Sequence, residues 1–155
     1  SILDMVAQKE GKSVHQLVEE LNKKSGYLGF TNHSDARDVR DLQDAGNHEA
    51  DLILRMQEKR ICDYISSYYG YMGGCDAIVF TAGIGEKSSR TRLEVCERLR
   101  EAFGVIIDEE KNEACFGTRA LISKPESKIK VLVIPTNEEL MIAREVMKYK
   151  KLLNR

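Results

Sequence analysis

The stretch DAIVFTAGIGEKSS, residues 76 to 89, constrains the fold more than any other part of the chain. Asp76-Ala77-Ile78-Val79-Phe80-Thr81 is an apolar, β-branched and aromatic run, the pattern of a buried strand. It passes straight into Ala82-Gly83-Ile84-Gly85, where small residues let a backbone come close to something else. Ser88 offers an N-cap to the segment that follows, Arg90 to Cys96, whose apolar positions recur at helical spacing. Strand, glycine turn and helix together form the local geometry of an anion site. Backbone N–H groups and a helix N-terminus both face such a turn.

Three glycine loops compete for this stretch. A Walker loop needs Gly-Lys-Ser/Thr at its end, whereas Gly85-Glu86-Lys87-Ser88 puts an acid between glycine and lysine. A dinucleotide fingerprint needs a third glycine where Ser88 stands. The pattern is weak without it. The third is the adenosine-side turn of actin-like kinases, which only the rest of the chain can support.

Composition narrows the classes. A chain of 155 residues is one domain by length and can bury a sizeable core. Its 24 basic and 25 acidic residues nearly cancel, which argues against a nucleic-acid or anionic-membrane partner. No apolar run approaches the roughly 20 residues a bilayer span needs, and no signal-peptide pattern opens the chain. Cys62, Cys75, Cys96 and Cys115 include no Cys-x-x-Cys pair, so reduced thiols in a cytoplasm are expected rather than zinc or a redox dithiol. Ser1 reads as the cap of an apolar-periodic helix with no initiator methionine before it, so a piece of a longer protein is expected.

Ser13 with Gln16 makes a capping box for a helix from Val14 to Lys24, striped by Val14, Leu17, Val18 and Leu21 and stopped by Gly26. Residues 26–33 read as a loop, and 35–42 as a short charged helix. Asn47 caps the longest helix, to about Tyr71, with Ala50, Ile53, Leu54, Ile61, Tyr64, Ile65 and Tyr68 on its buried side. Residues 105–107 and 120–122 are short strand candidates, and Lys130 to Ile134 a strong one. Pro135 ends it, and Thr136 with Glu139 reads as a second capping box, opening a helix to about Lys150. Helices interleaved with apolar strands give an α/β class, a sheet packed by helices.

Three segments resemble the acetate kinases: DAIVFTAGIGE (Asp76 to Glu86), SDARD (Ser34 to Asp38) and IPTNEELMIARE (Ile134 to Glu145). LNKKSGYLGF (Leu21 to Phe30) looks like the segment that precedes SDARD in that family. The resemblance spans nearly the whole chain in order. It implies the C-terminal part of an actin-like, ribonuclease H-like kinase domain with a mixed sheet, residues 1–155 forming a nucleotide-binding fragment without the N-terminal domain.

By the same resemblance Gly83, Ile84, Gly85, Glu86 and Lys87 form an ATP/ADP-binding turn, and Asp35, Ala36 and Arg37 a second nucleotide-contacting element. Glu138 matches the family's magnesium-site glutamate, a hard oxygen ligand suited to Mg²⁺. Arg37 can stack on a nucleotide or make charge-assisted contacts to it. The implied activity is reversible transfer of the γ-phosphoryl of ATP to acetate, giving acetyl phosphate, by a cytoplasmic homodimer. No catalytic residue of the family falls in this fragment, which is therefore expected to be inactive alone. Two positions depart from the pattern. Lys87 stands where the family usually has Asn, and Ala36 where a larger apolar residue is common. Propionate or butyrate kinase, and a non-catalytic nucleotide-binding or dimerisation module, are the alternative readings.

Other readings of the same residues are plainer. Glu138 and Glu139 are also ordinary first-turn acids favoured by the helix dipole. Asp35, Asp38 and Asp41 at helical spacing also make a solvated face. His15, His33 and His48 have no partner pattern, and no catalytic role is assigned to them. The tyrosines, mostly within 64–71, read as helix packing or a subunit contact.

Overall fold

A computed structural model describes residues 2–153 of the chain; the expected cap at Ser1 lies outside them. The chain divides into two compact units, Ser1–Arg60 and Ile61–Arg155. Among the described residues no helix is long and apolar enough to cross a membrane.

The first unit is helical: α1 (Ile2–Glu10), α2 (Val14–Lys24), α3 (Gly26–Thr31), α4 (Ala36–Asp44) and the first half of α5 (His48–Met72). Ser13 caps α2 through the full reciprocal box with Gln16. Asn47 caps α5 by accepting the Ala50 N–H at 2.8 Å. Its small core joins Val39, Ala50, Ile53 and Leu54, with Tyr27 and Leu42 packed alongside. The expected loop at 26–33 is instead mostly the six-residue helix α3. Tyr27 packs on the Val39 cluster and its hydroxyl bonds Gln57, contacts that local sequence does not encode. The α2 stripe is only half-buried, since Leu17 is covered while Val14 and Leu21 are exposed. Arg40 and Glu58 form an ion pair at 2.9 Å inside this unit, with Glu58 almost fully buried.

The second unit holds the sheet. Its further elements are β1 (Ala77–Phe80), α6 (Ala82–Lys87), α7 (Ser89–Phe103), α8 (Glu109–Ala114), β2 (Ala120–Leu121), β3 (Lys130–Val133) and α9 (Glu138–Leu153). The strand order is β1-β3-β2, with β1 parallel and β2 antiparallel to β3. The sheet is mixed, as expected. Ala77 pairs with Lys130 and Phe80 with Val133, so Ile78, Phe80, Val131 and Val133 all reach one core. Side chains alternate across a strand, and that period places these four together. Val95, Cys96 and Leu99 of α7 and Ile122 belong to the same core, with Ile61, Ile65 and Tyr69 from the second half of α5 against it. Tyr69 stacks on Phe103 with ring centroids 4.2 Å apart.

Two expectations need correction here. Residues 105–107 form no strand, only an isolated bridge from Ile107 to Ser123. The Ile106 N–H goes instead to the Ser127 hydroxyl at 2.9 Å, so the ladder cannot extend. Tyr64 and Tyr68 do not lie on the buried side of α5. They are 55% and 61% exposed and stack on each other, while Glu58 and Cys62 take the buried side. On the other face of the sheet Val79 and Leu121 are about half exposed.

Candidate functional site

The opening stretch folds as read up to Thr81, and then more tightly than expected. Gly83 to Lys87 are not an open loop but most of α6, a six-residue helix entered through Ala82 at φ 59°. That backbone region is costly for alanine and persists only where its surroundings impose it. Ser88 then caps α7, accepting the Thr91 N–H at 3.2 Å, so two helices follow the strand where one was expected.

The two glycines differ in what they do. A Cβ on Gly85 would come within 3.3 Å of the Phe80 carbonyl carbon, a tight approach where α6 packs against the end of β1. Glycine at this position therefore also serves internal packing. A Cβ on Gly83 would meet no described atom within 4 Å. Gly83 is the open one.

Glu86 is turned inward, 7% exposed between half-buried Gly85 and exposed Lys87. Its Oε1 accepts the Thr136 N–H at 2.7 Å and the Thr136 hydroxyl at 2.9 Å. These bonds, the backbone one first, hold its carboxyl below the usual carboxylate range. The Glu86 carbonyl also accepts the Gly117 N–H at 3.0 Å. Its side chain is therefore engaged within the protein. The same contacts correct the second capping box. Thr136 has given its hydroxyl to Glu86, and Asn137 caps α9 by accepting the Leu140 N–H at 2.9 Å. Glu139 is a first-turn acid without a box.

Sequence reading passed over Arg92, which looks like one more charge on a charged helix. It is fully buried. Its Nε donates to Asn112 Oδ1 at 2.7 Å, Nη1 to the Gly85 carbonyl at 2.9 Å, and Nη2 to the carbonyls of Asn112 and Cys115 at 2.8 and 2.7 Å. The guanidinium thus pins the middle of α6 from the core side, and burial depresses its pKa. The only sequence sign was position. Three residues after the Ser89 start of α7, Arg92 shares the inward face with Val95, Cys96 and Leu99.

A cavity of about 440 Å³ lies between α6 and the start of α9, lined by Ala82, Gly83, Glu86 and Lys87 on one side and by residues 136–139 on the other. Gly83, Lys87 and Glu138 therefore share one wall-to-wall space, while Ile84 and Gly85 fall outside its lining. Asp35, Ala36 and Arg37 belong to the first unit. There Asp35 caps α4 by accepting the Arg37 N–H at 2.8 Å, and Arg37 folds back to donate to both Asp35 oxygens. Among the described residues no three His, Cys, Asp or Glu side chains cluster as a metal cage.

The Arg37 bonds draw the Asp35 carboxyl down to about 2 from 3.8. A depressed acid stabilises its fold above the unfolded pKa and ceases to as pH falls through the folded one. The Asp35–Arg37 cap is therefore expected to hold α4 at neutral pH and to release it between about pH 4 and 2. NMR titration of the Asp35 carboxyl checks this, and Arg37→Met should return its midpoint toward 3.8. An unshifted midpoint in the parent chain would remove the cap from the argument.

Residues 1–144 match the family model of the acetokinase family. The chain belongs to the acetokinase family. It is 49% identical over 147 residues to an acetate kinase of Carboxydothermus hydrogenoformans, covering 95% of this chain but 36% of that protein. Among solved structures it is similar to Porphyromonas gingivalis acetate kinase, at a TM-score of 0.85, 41% identity, 95% of this chain and 37% of the other. A propionate kinase from Francisella tularensis gives a TM-score of 0.84 at 35% identity, covering 93% and 36%. The chain thus spans about a third of the length of the curated relatives it matches. With the mixed sheet, these likenesses identify part of the kinase domain of that family.

Proposed function

We propose that this acetokinase-family segment supplies the nucleotide-binding side of an ATP:acetate phosphotransferase, which makes acetyl phosphate reversibly and needs Mg²⁺. The observation that carries the reading is the shared cavity. It sets Gly83, open to close approach, and the cation of Lys87 opposite the first-turn acid Glu138. A nucleotide phosphate fits between a cation and a metal-bearing carboxylate. The donor set suits Mg²⁺, which keeps several waters and is typically held by one or two carboxylates plus substrate phosphates rather than by a closed cage. Glu138 would hold it, and the ion's contribution would be to neutralise charge on the phosphoryl oxygens.

Asp35, Ala36 and Arg37 are proposed as the second nucleotide contact. Gly85 also packs against the end of β1, and Glu86 lines the cavity while holding Thr136. The paired exposed rings of Tyr64 and Tyr68 favour a subunit contact over helix packing, in keeping with a homodimer. A cytoplasmic setting follows from the same reading. Propionate as acceptor is the second reading, favoured by the likeness to the Francisella protein.

The test is calorimetry with ADP and Mg²⁺ beside a coupled acetyl-phosphate assay on the chain alone. Binding without turnover is expected, since no residue of the chain is assigned to the phosphoryl-transfer step. Gly83→Val should project a branched side chain into the cavity while the fold stands, weakening ADP by at least about ten-fold. Unchanged ADP affinity in a folded Gly83→Val chain, or turnover by the chain alone, would overturn the reading.

A further inference from the structure

We propose that Glu86 and Thr136 form a positioning clasp that sets where Glu138 stands relative to the open glycine, Gly83. The inference rests on the nucleotide reading of the cavity and adds a residue pair to it.

The argument starts from α9. Every residue of this helix whose side chain is described is exposed, including Leu140, Ile142 and Val146, so packing does not fix its start. What precedes it is fixed at two points. The Ile134 N–H donates to the Phe80 carbonyl at 3.0 Å, continuing the sheet, and Thr136 then donates twice to Glu86. Asn137 caps the helix immediately afterward, and Glu138 is its first residue. The direction in which Glu138 leaves the sheet is thus set by a carboxylate fifty residues earlier in the chain.

The other end of the clasp is rigid. Glu86 sits on α6, whose Gly85 carbonyl is held by Arg92 and whose Glu86 carbonyl is held by the Gly117 N–H. A charge-assisted pair anchored on one side by a buried guanidinium is a stiff spacer. Glu86 is nearly buried and commits its Oε1 to both Thr136 bonds, so through that oxygen it acts on the position of Glu138, although the residue also lines the cavity.

A purely stabilising contact would affect all ligands alike, whereas a positioning contact should affect the metal-dependent part of binding. ADP affinity of the chain is therefore measured with and without Mg²⁺. Thr136→Val keeps the N–H and the shape but removes the hydroxyl donor. It should cut the Mg²⁺-dependent gain in ADP affinity by about ten-fold or more, the scale of one hydrogen bond to a charged group. Metal-free ADP affinity of the same variant is the reference against which that gain is read, since Thr136 itself lines the cavity. Thr136→Ser should restore the gain, and Glu86→Gln should lose it. An unchanged Mg²⁺-dependent gain in a folded Thr136→Val chain would overturn the clasp.

Amide exchange separates this outcome from failure of the nucleotide reading. If the parent chain binds no ADP, that reading falls. The clasp then stands only if Thr136→Val lowers protection of the α6 amides and of Leu140 together. Loss confined to one segment overturns it as well.

Discussion

Arg92→Met is expected to cost the second unit about 3–5 kcal/mol of folding stability, the largest effect of any single substitution considered for this chain. The guanidinium is fully buried and donates to four acceptors, none of them a carboxylate. Each buried acceptor left without a donor costs about 1–3 kcal/mol. Relief from burying a cation returns part of that sum, which is why the total stays below the arithmetic limit. Methionine matches the stem in length and shape, so cavity formation adds little. Arg92→Lys should fall between the two, since an ammonium reaches fewer of the fanned acceptors than a planar fork. Urea unfolding followed by circular dichroism measures the difference. A Met variant within about 1 kcal/mol of the parent would mean that water replaces the guanidinium, and that α6 is held by other contacts.

The residue on which so much rests was the least visible in the sequence. Arg92 lies in a run of charges, and helical periodicity marks a charged residue as solvent-facing unless its acceptors are known. Those acceptors sit at Gly85, Asn112 and Cys115, brought round by tertiary structure. The local caps were legible for the opposite reason. Ser13 with Gln16, Asn47 and Ser88 each act on N–H groups three residues away, so spacing alone defines them. Thr136 followed the same rule and was misread. The helix begins one residue later than the pattern suggests, at Glu138, so Asn137 stands at the cap while Thr136 donates its hydroxyl to Glu86.

The strands follow the same division. Ile78 and Phe80, with Val131 and Val133, advertise β1 and β3 by apolar alternation, and the parallel ladder forms between them. Residues 105–107 are as apolar, but the Ile106 backbone groups are drawn to Ser127 and Lys124, which pattern does not reveal. For the site, the glycine turn and the acid at the head of α9 were both legible. That Gly85 also packs closely on Phe80 was not, because glycine serves ligand approach and internal packing alike and sequence does not distinguish them.

Glu138→Gln separates the metal role from the structural one most cleanly. As a first-turn acid alone, Glu138 contributes about 0.3–1 kcal/mol through the helix dipole, and its loss would leave chemistry untouched. It is exposed, it lines the cavity with Gly83 and Lys87, and Asn137 already supplies the cap, so the helix does not need it to start. As the carboxylate that holds Mg²⁺, it loses an anionic oxygen on conversion to the amide. In a full-length polypeptide carrying this segment, Glu138→Gln is therefore expected to lower turnover by about ten-fold or more, a barrier rise of at least about 1.4 kcal/mol. Added Mg²⁺ should recover part of the loss, while the melting temperature barely moves. Glu139→Gln is the matched control, one residue on in the same exposed first turn and without a capping partner, and it should share the small stability change alone. Turnover and Mg²⁺ dependence equal to the parent in Glu138→Gln would reduce the residue to a helix-start acid. The cavity would then have a cation at Lys87 and an open glycine at Gly83, but no residue to hold the metal, and the phosphotransferase reading would have to draw that ligand from outside this chain.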